Sequence, residues 1–252
     1  MFIRLFSCSA AMLFSLSFSF AQTIKFPDPN FKRALIQKKV DANNDGEIDV
    51  SEAKKITKLY LEDTPFSSME GIKQFSNLEE FGTYKNQVSS VDLQGMLSLK
   101  RLYLIGGGME TVNLKGCINL EHLSLIGNNL KTIDLSPFKK LTKLHLAYNQ
   151  FSSLIIGNQP GLQEVDVSNN NIADFRISMC PRLSSLIISK NKIGQNLDLS
   201  KFPELKYFAA DYNKLSSVNI LGLSKLESFS CLYCNIKTLN LSGAEKLVNL
   251  NW

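Results

Sequence analysis

Apolar residues recur along most of the chain with a period of 21 residues. Successive units begin at leucines that lie 21 residues apart, except for one spacing of 22, and these are Leu78, Leu99, Leu120, Leu141, Leu162, Leu183, Leu205, Leu226 and Leu247. Each unit follows the pattern L-x-x-L-x-L-x-x-N-x-L-x-x-L-x-L and ends in a short polar link. Self-similarity at such a period is typical of a solenoid, in which stacked units share a core that one unit could not bury alone.

Each unit contains two short segments in which apolar and polar residues alternate. Residues 144–146 (LHL) and 133–135 (IDL) are examples, and a period of two residues indicates an extended strand. No segment is long enough for a helix in every unit. We therefore predict a flattened coil, mostly β, with parallel strands on both sides and a rise of about 4.8 Å per unit.

Asparagine recurs at the ninth position of six units, where the chain must turn. These residues are Asn86, Asn128, Asn149, Asn170, Asn191 and Asn213, whereas Gly107 and Cys234 replace asparagine in two other units. An amide side chain both donates and accepts hydrogen bonds, so a stack of asparagines can satisfy backbone groups that the turn leaves unpaired. One extra residue near position 195 predicts a local bulge on the side away from the first strand of the unit.

The second half of several units places an aspartate between two apolar residues. The sequences are VDL at 91–93, IDL at 133–135 and LDL at 197–199. Together with the leucine and asparagine positions, this pattern resembles the 21-residue repeats of bacterial leucine-rich repeat proteins, sometimes called IRREKO repeats, over residues 56–252. The resemblance implies a leucine-rich repeat solenoid that serves binding or adhesion rather than catalysis, and it names no ligand.

Residues 41–52, which precede the repeats, fit a calcium-binding EF-hand loop at every diagnostic position. Calcium prefers several hard oxygen ligands, and Gly46 permits the sharp turn in the loop. The predicted ligands are side-chain oxygens of Asp41, Asn43, Asp45 and Glu52, the backbone carbonyl of Glu47, and Asp49 either directly or through a water. The alternative is an Asp- and Asn-rich turn that holds no metal.

The EF-hand-like loop lies between two predicted helices, at residues 30–40 and 51–58, so residues 22–55 form a small helical cap. Residues 56–77 form a transitional unit with a short helical turn near residues 71–75. Eight regular repeats follow over residues 78–246, and residues 247–252 begin a partial repeat. Because no second EF-hand loop is visible, calcium in this cap is expected to be structural rather than a signal.

The first residues are typical of a secretory signal peptide. Residues 1–4 carry one positive charge, residues 5–20 are uncharged and rich in Leu, Phe and Ser, and Ala21 completes a small-residue cleavage site before Gln22. Lipid attachment at Cys8 is the weaker alternative, because the apolar run follows this cysteine rather than precedes it. We expect an exported protein without a transmembrane segment, because no later stretch is long and apolar enough to span a membrane.

Four cysteines remain after this segment, and their positions favour packing over chemistry. Cys117 and Cys180 occupy the same core position three units apart, roughly 15 Å at strand spacing, which exceeds the reach of a disulfide. Cys231 and Cys234 lie one turn apart, at a strand core position and an asparagine position. Buried thiols are favoured here over a local disulfide.

The polar positions of the first strand in each unit form the candidate ligand-binding face. Exposed aromatic residues mixed with polar groups are typical of interfaces. Consecutive units place such residues as neighbours, and the candidates are Tyr103, His122, Lys143, His145, Tyr148 and Asp166. The alternative is a solvated face with incidental tyrosines. A zinc site formed by the two histidines and the aspartate is a much weaker alternative.

Composition narrows the function further. A net charge of +5, spread along the chain, does not favour nucleic-acid binding, which needs a concentrated basic patch. Motifs of serine hydrolases, zinc proteases and phosphate-binding loops are absent from the sequence. We therefore expect no enzyme, but an exported binding or adhesion module for a protein or a glycan, with a calcium-stabilised cap. The alternative is a structural or spacer component of a cell-envelope assembly.

Overall fold

The computed structural model describes residues 22–62 and 64–252. Within these residues the helices are α1 (Pro29–Gln37), α2 (Val50–Ala53) and a 3-10 helix (Ile72–Gln74). The strands, in chain order, are β1 (Lys58–Leu61), β2 (Glu80–Tyr84), β3 (Ser90–Asp92), β4 (Arg101–Ile105), β5 (Thr111–Asn113), β6 (His122–Ser124), β7 (Lys143–His145), β8 (Ser153–Gly157), β9 (Glu164–Asp166), β10 (Asp174–Ser178), β11 (Ser185–Ile187), β12 (Leu197–Asp198), β13 (Tyr207–Ala209), β14 (Val218–Asn219), β15 (Ser228–Ser230) and β16 (Asn249–Asn251).

The first strands of all units form one parallel sheet of ten strands, the main sheet. Its order is β1-β2-β4-β6-β7-β9-β11-β13-β15-β16. Equivalent residues of successive units pair in register, as Leu102, Leu123 and Leu144 do. These leucines point inward and are fully buried. The solenoid of parallel strands predicted from the 21-residue period is confirmed.

The opposite side of the solenoid, the far side, carries shorter and interrupted strands. Three two-stranded parallel sheets form there: β3 with β5, β8 with β10, and β12 with β14. In several units an aspartate accepts a hydrogen bond from the backbone two residues ahead, as Asp134 does from the Ser136 amide at 2.9 Å and as Asp92, the last residue of β3, does from the Gln94 amide at 3.0 Å. This local turn ends the extended segment at the aspartate. The five-residue strands β8 and β10 carry Ile155 and Arg176 at this position instead.

The buried asparagines link neighbouring units, as the sequence predicts. The amide nitrogen of Asn149 donates to the Leu125 carbonyl of the preceding unit at 2.8 Å and to the Leu146 carbonyl of its own unit at 3.1 Å. Its side-chain oxygen accepts from the Leu130 amide at 3.0 Å. Where Gly107 replaces asparagine, its backbone amide donates to the Asn128 side chain at 3.2 Å. The ladder therefore satisfies buried backbone groups between units.

The extra residue near position 195 is accommodated outside the main sheet. It lies between β11 and β12, where the Gln195 side chain donates to the Phe175 carbonyl. Pairing in the main sheet continues without a break, with Leu186 opposite Phe208. The insertion therefore changes the link to the far side and leaves the strand register intact.

The helical cap differs in its bounds from the sequence prediction. Helix α1 begins after Asp28, whose carboxylate accepts from the amides of Asn30 and Phe31, and it ends before Lys39, which has a left-handed φ of 63°. The predicted helix over 51–58 is wrong in length, because α2 ends at Ala53 and the chain enters β1 at residue 58. The 3-10 helix lies within the predicted helical turn. None of the described helices could cross a membrane.

The prediction of free thiols near the end of the chain is wrong for one pair of cysteines. Cys231 and Cys234 form a disulfide, with their Cα atoms 5.7 Å apart. The turn through Tyr233, which has a left-handed φ of 57°, brings them within the usual disulfide span. Cys117 and Cys180 are free and buried, as predicted, and burial raises the pKa of each thiol to about 11. The predicted signal peptide and Cys8 lie outside the described residues.

Candidate functional site

The outward side chains of the main sheet form two continuous columns, and together with a third column at the strand ends we call them the strand face. Side chains alternate between the two sides of a strand, so the residues between inward leucines face outward. The first column runs Lys58, Glu80, Arg101, His122, Lys143, Glu164, Ser185, Tyr207, Ser228 and Asn249. The second column runs Tyr60, Gly82, Tyr103, Ser124, His145, Asp166, Ile187, Ala209, Ser230 and Asn251.

A third column follows the end of each strand and has a shared backbone conformation. All eight residues have a left-handed φ between 52° and 71°, and they are Lys85, Gly106, Gly127, Tyr148, Asn169, Lys190, Tyr212 and Tyr233. Glycine and asparagine tolerate this conformation well, but tyrosine and lysine adopt it at some cost. The sequence analysis named Tyr148 among these residues but missed the left-handed turn, which the glycines and the asparagine indicate in retrospect.

The structure brings five of the six candidate face residues together on adjacent strands. The hydroxyl of Tyr103 lies 3.2 Å from Nδ1 of His122. His145 and Asp166 are register partners in the second column, while His122 and Lys143 are partners in the first. Tyr148 lies in the third column instead, at the end of its unit's strand, and is 59% exposed. The two histidines are therefore in different columns.

Sequence reasoning missed Glu164, which joins two of the candidates. Its carboxylate lies 2.7 Å from Nζ of Lys143 and 3.7 Å from Nε2 of His145. Burial, with the nearby Arg101 and Lys143, lowers the pKa of His122, so this imidazole is neutral at pH 7. The middle of the strand face is thus a hydrogen-bonded polar surface with little net charge.

A second acidic residue, Glu80, organises the N-terminal end of the strand face. Its carboxylate pairs with Nζ of Lys58 at 2.9 Å and with the guanidinium of Arg101 at 2.8 Å, and it accepts a hydrogen bond from the Tyr60 hydroxyl at 2.8 Å. The bonds from Lys58 and Tyr60 lower the pKa of Glu80 to about 2. Burial and the bond to Glu80 raise the pKa of Tyr60 to about 12. Both groups keep their ordinary protonation states at neutral pH.

Aromatic side chains cluster at both ends of the strand face. The rings of Tyr60 and Tyr103 lie 6.4 Å apart between centroids near the N-terminal end. Near the C-terminal end, Tyr212 and Tyr233 stack at 4.5 Å with an interplanar angle of 19°, and they are 51% and 71% exposed. The sequence prediction concentrated on the middle of the face, although equal repeat positions already indicate that Tyr212 and Tyr233 are neighbours.

The EF-hand-like loop folds its acidic side chains back onto its own backbone. One carboxylate oxygen of Asp41 accepts from the Gly46 amide at 3.0 Å, and Glu52 accepts from the amides of Ala42 at 2.8 Å and Asp49 at 3.1 Å. Asp41 and Glu52 are buried. In residues 22–62 and 64–252, no three or more His, Cys, Asp or Glu side chains are arranged to hold a metal ion.

The donor set of the loop nevertheless fits calcium. The second carboxylate oxygen of Asp41, Oδ1, is buried and has no hydrogen-bond partner, and such a group is costly unless something binds it. The side chain of Glu47 turns outward to Lys32 at 2.6 Å, which agrees with a ligand role for its carbonyl alone. Loop oxygens from carboxylates, an amide and a carbonyl are the ligand types that calcium prefers.

The N-terminal segment pairs with this loop, which sequence reasoning did not foresee. The Ile24 amide donates to the Ile48 carbonyl at 2.8 Å, and the Val50 amide donates to the Gln22 carbonyl at 3.0 Å. Ile48 is fully buried. The pairing shows how a single loop is held without a second one beside it.

Comparison with known proteins supports the fold. A family model described as Leucine Rich Repeat matches residues 119–141. An internalin (InlF) from Listeria monocytogenes is 25% identical, with 90% of this chain and 75% of that chain covered and a TM-score of 0.69. The functional domain of InlJ from the same species, described as including a cysteine ladder, is 20% identical, with 90% and 57% covered and a TM-score of 0.72.

A third solved structure, an internalin C2 from Listeria monocytogenes, is 21% identical, with 82% of this chain and 96% of that chain covered and a TM-score of 0.67. No characterised protein compared by sequence matches the chain. The chain is therefore similar to internalin-like leucine-rich repeat structures from bacteria, and it folds as a leucine-rich repeat solenoid.

Proposed function

We propose that this chain is an exported, non-catalytic binding module that recognises a protein ligand through the strand face. The observation that carries the proposal is the unbroken main sheet, which aligns tyrosines and histidines in columns across ten strands. The similarity in fold to internalins supports binding, and the signal-like first residues support export. A glycan ligand is the alternative occupant of the same face.

The strand face has the physical properties of a pre-organised interface. Its side chains stand on a rigid sheet, and several are fixed by hydrogen bonds, such as Tyr103 with His122 and Tyr60 with Glu80. Binding to such a surface orders few new side chains, which reduces the entropic cost of association. Tyrosine and histidine also present flat surface with one polar group, which suits both apolar and polar contacts.

The proposal is tested by capture from cell-surface and envelope extracts, followed by measurement of the affinity for the protein that is captured. Replacing Tyr103 and Tyr148 together by alanine should weaken binding at least tenfold, at about 1–2 kcal/mol for each anchor. The matched control replaces Lys131 and Asp134 on the far side, and it should change the affinity by less than twofold. If only the far-side variant loses binding, the interface lies on the far side and not on the strand face. Capture of no ligand would favour a structural or spacer role in the envelope.

We also propose that calcium binds the loop and stabilises the cap, with Asp41, Asn43, Asp45, Asp49 and Glu52 supplying side-chain oxygens and Glu47 its carbonyl. The unpartnered buried oxygen of Asp41 supports this proposal most directly. The ion would supply positive charge beside the buried carboxylates of Asp41 and Glu52. Its role is structural, because the loop is held against the N-terminal segment and the core.

Thermal unfolding with calcium, with magnesium and with a chelator tests this second proposal. A ligand present at about 100 times its dissociation constant stabilises the folded state by ~2.7 kcal/mol, and magnesium should stabilise it less because it prefers a smaller octahedral site. Glu52→Ala should abolish the calcium effect. Glu47→Ala should preserve it, because only the carbonyl of residue 47 is a predicted ligand. Identical melting temperatures in all three solutions would identify the loop as a turn without metal.

A further inference from the structure

Residues 22–24, which we call the N-terminal strand, form an antiparallel bridge with the end of the EF-hand-like loop. Two backbone hydrogen bonds make this bridge. The Ile24 amide donates to the Ile48 carbonyl at 2.8 Å, and the Val50 amide donates to the Gln22 carbonyl at 3.0 Å. We call these two bonds the clamp, because they hold the loop on both sides of the residue that lies between Ile48 and Val50.

The residue inside the clamp, Asp49, positions a second predicted ligand, Glu52. The Asp49 amide donates to Oε2 of Glu52 at 3.1 Å, and the Asp49 carboxylate accepts from the Glu52 amide at 2.9 Å. The other oxygen of Glu52, Oε1, accepts from the amides of Ala42 at 2.8 Å and Asn43 at 3.2 Å. The Glu52 carboxylate thus joins the end of the loop to its beginning, next to the unpartnered oxygen of Asp41. A shift of the clamp would therefore move the carboxylate that is predicted to give the ion two oxygens.

The N-terminal strand is also anchored to the rest of the molecule. Ile24 is buried in the hydrophobic core. The ring of Phe26, two residues further on, packs edge-on against the ring of Phe31 in α1, with centroids 5.7 Å apart. Gly71 has a left-handed φ of 99°, and a Cβ atom there would lie 2.8 Å from the Phe26 ring, so both the conformation and the space require glycine. The strand therefore braces the loop against α1 and the transitional unit.

Calcium binding to a loop that is already held costs less than binding to a free loop. An ion must collect its ligands from residues 41–52, and every ligand that is not yet in place adds an entropic cost of ordering. The clamp removes part of this cost at the end of the loop that carries Asp49 and Glu52. The unpartnered Oδ1 of Asp41 then lies in a site whose other end is fixed.

We propose that the clamp positions the calcium ligands, so that Gln22 and Ile24 determine the affinity of the site without touching the ion. This inference rests on the proposed calcium function and extends it, because it assigns part of the affinity to two residues outside the loop. Coupling between two binding events is reciprocal. Calcium in turn holds the N-terminal strand against the loop.

Isothermal titration with calcium, on the chain from residue 22 to residue 252, tests this inference through the variant Val50→Pro. Proline removes the amide that donates to Gln22 and should weaken calcium binding about fivefold or more, because one of the two bonds of the clamp is lost. The loop itself accommodates this proline, because residue 50 is the first residue of α2 and Asp49 before it is extended, with φ -99° and ψ 168°. Val50→Ala keeps the amide and should restore the affinity to within about twofold of that of the wild type.

Ile24→Pro removes the other bond of the clamp and provides a second variant in case Val50→Pro does not fold. It should also weaken calcium binding about fivefold or more, whereas the conservative variant Ile24→Val should restore the affinity. In the wild type, calcium should slow the hydrogen exchange of the Ile24 amide, measured by NMR, because this amide is a donor in the clamp.

These measurements separate the positioning role from the proposed calcium site. Equal calcium affinity in the wild type and in folded Val50→Pro or Ile24→Pro would overturn the positioning role and retain the site, and the strand would then contribute to stability alone. A loss of affinity as large in Val50→Ala as in Val50→Pro would assign the effect to the side chain and overturn the clamp. Unchanged exchange of the Ile24 amide on addition of calcium would also overturn it. No calcium binding by the wild type would reject both proposals.

Discussion

A buried asparagine side chain in this solenoid satisfies three backbone groups at once. Asn149 donates to the carbonyls of Leu125 and Leu146 and accepts from the amide of Leu130, and Asn170, Asn191 and Asn213 make equivalent sets of bonds. Those backbone groups turn inward and cannot reach water. Each carbonyl is also bonded by a neighbouring asparagine, that of Leu125 by Asn128 and that of Leu146 by Asn170, so the group that depends on Asn149 alone is the Leu130 amide. Leaving this buried amide unpaired costs more than an ordinary hydrogen bond contributes.

Replacement of Asn149 by alanine should lower the free energy of unfolding by about 1–3 kcal/mol, since it leaves the buried Leu130 amide unpaired. Denaturation by urea measures the change. The matched control is Asn129→Ala, an exposed residue whose side chain bonds to Gly108 and Gln150, and it should cost less than about 0.5 kcal/mol. If Asn149→Ala lowers the free energy of unfolding no more than the control does, a water molecule has taken over the hydrogen bonds of the asparagine.

At the scale of single elements, the disulfide near the C-terminal end repeats the geometry of the asparagine ladder. Asn128 donates to the carbonyl of Leu125, three residues earlier, and Asn213 donates likewise to Ala210. Cys234 holds the ladder position in the last complete unit and bonds covalently to Cys231, again three residues earlier. The disulfide thus replaces the link that the amide makes in other units.

Reduction of this disulfide should loosen the last units without unfolding the rest. Hydrogen exchange should become faster in β15 and β16 and stay unchanged in β4 to β9, with a local loss of about 2 kcal/mol for a loop this short. The double variant Cys231→Leu with Cys234→Asn restores the side chains found in other units, so it should recover the protection and no longer respond to reductant. Equal exchange in the oxidised and reduced wild type would show that the disulfide contributes nothing to the unit.

Elements differ in how far the sequence predicts them. The main sheet was predictable because the same apolar spacing is repeated in every unit and one error cannot shift the register. The length of α2 and the breaks between far-side strands were not, because they depend on local bonds such as the Asp49–Glu52 capping box and the turn at Asp134. On the strand face, the columns followed from the repeat. The ion pairs of Glu80 and Glu164 depend on side-chain conformations that a repeat pattern does not specify.

Across the whole molecule, the cap and the solenoid share one hydrophobic core and are also joined by specific hydrogen bonds. Asp28 caps α1 and also accepts hydrogen bonds from the amide and hydroxyl of Ser67, at 2.6 Å and 2.9 Å. Burial would raise the pKa of Asp28, but the hydrogen bonds from Ser67, Asn30 and Phe31 outweigh it and lower the pKa to about 2. Beyond this junction, units of a solenoid contact only their neighbours, so stabilisation at one end is expected to fade along the stack.

Calcium should therefore protect the molecule unevenly. If the loop binds calcium, hydrogen exchange should slow most in α1 and β1, less in β2 and β4, and not measurably in β13 to β16, because each interface transmits only part of the stabilisation. Exchange followed by mass spectrometry with calcium and with a chelator gives this profile, and Glu52→Ala should flatten it while Glu47→Ala leaves it intact. Equal slowing in every unit would instead show that the whole solenoid opens as one cooperative body, in which case calcium at one end stabilises the tyrosine clusters at both ends of the strand face.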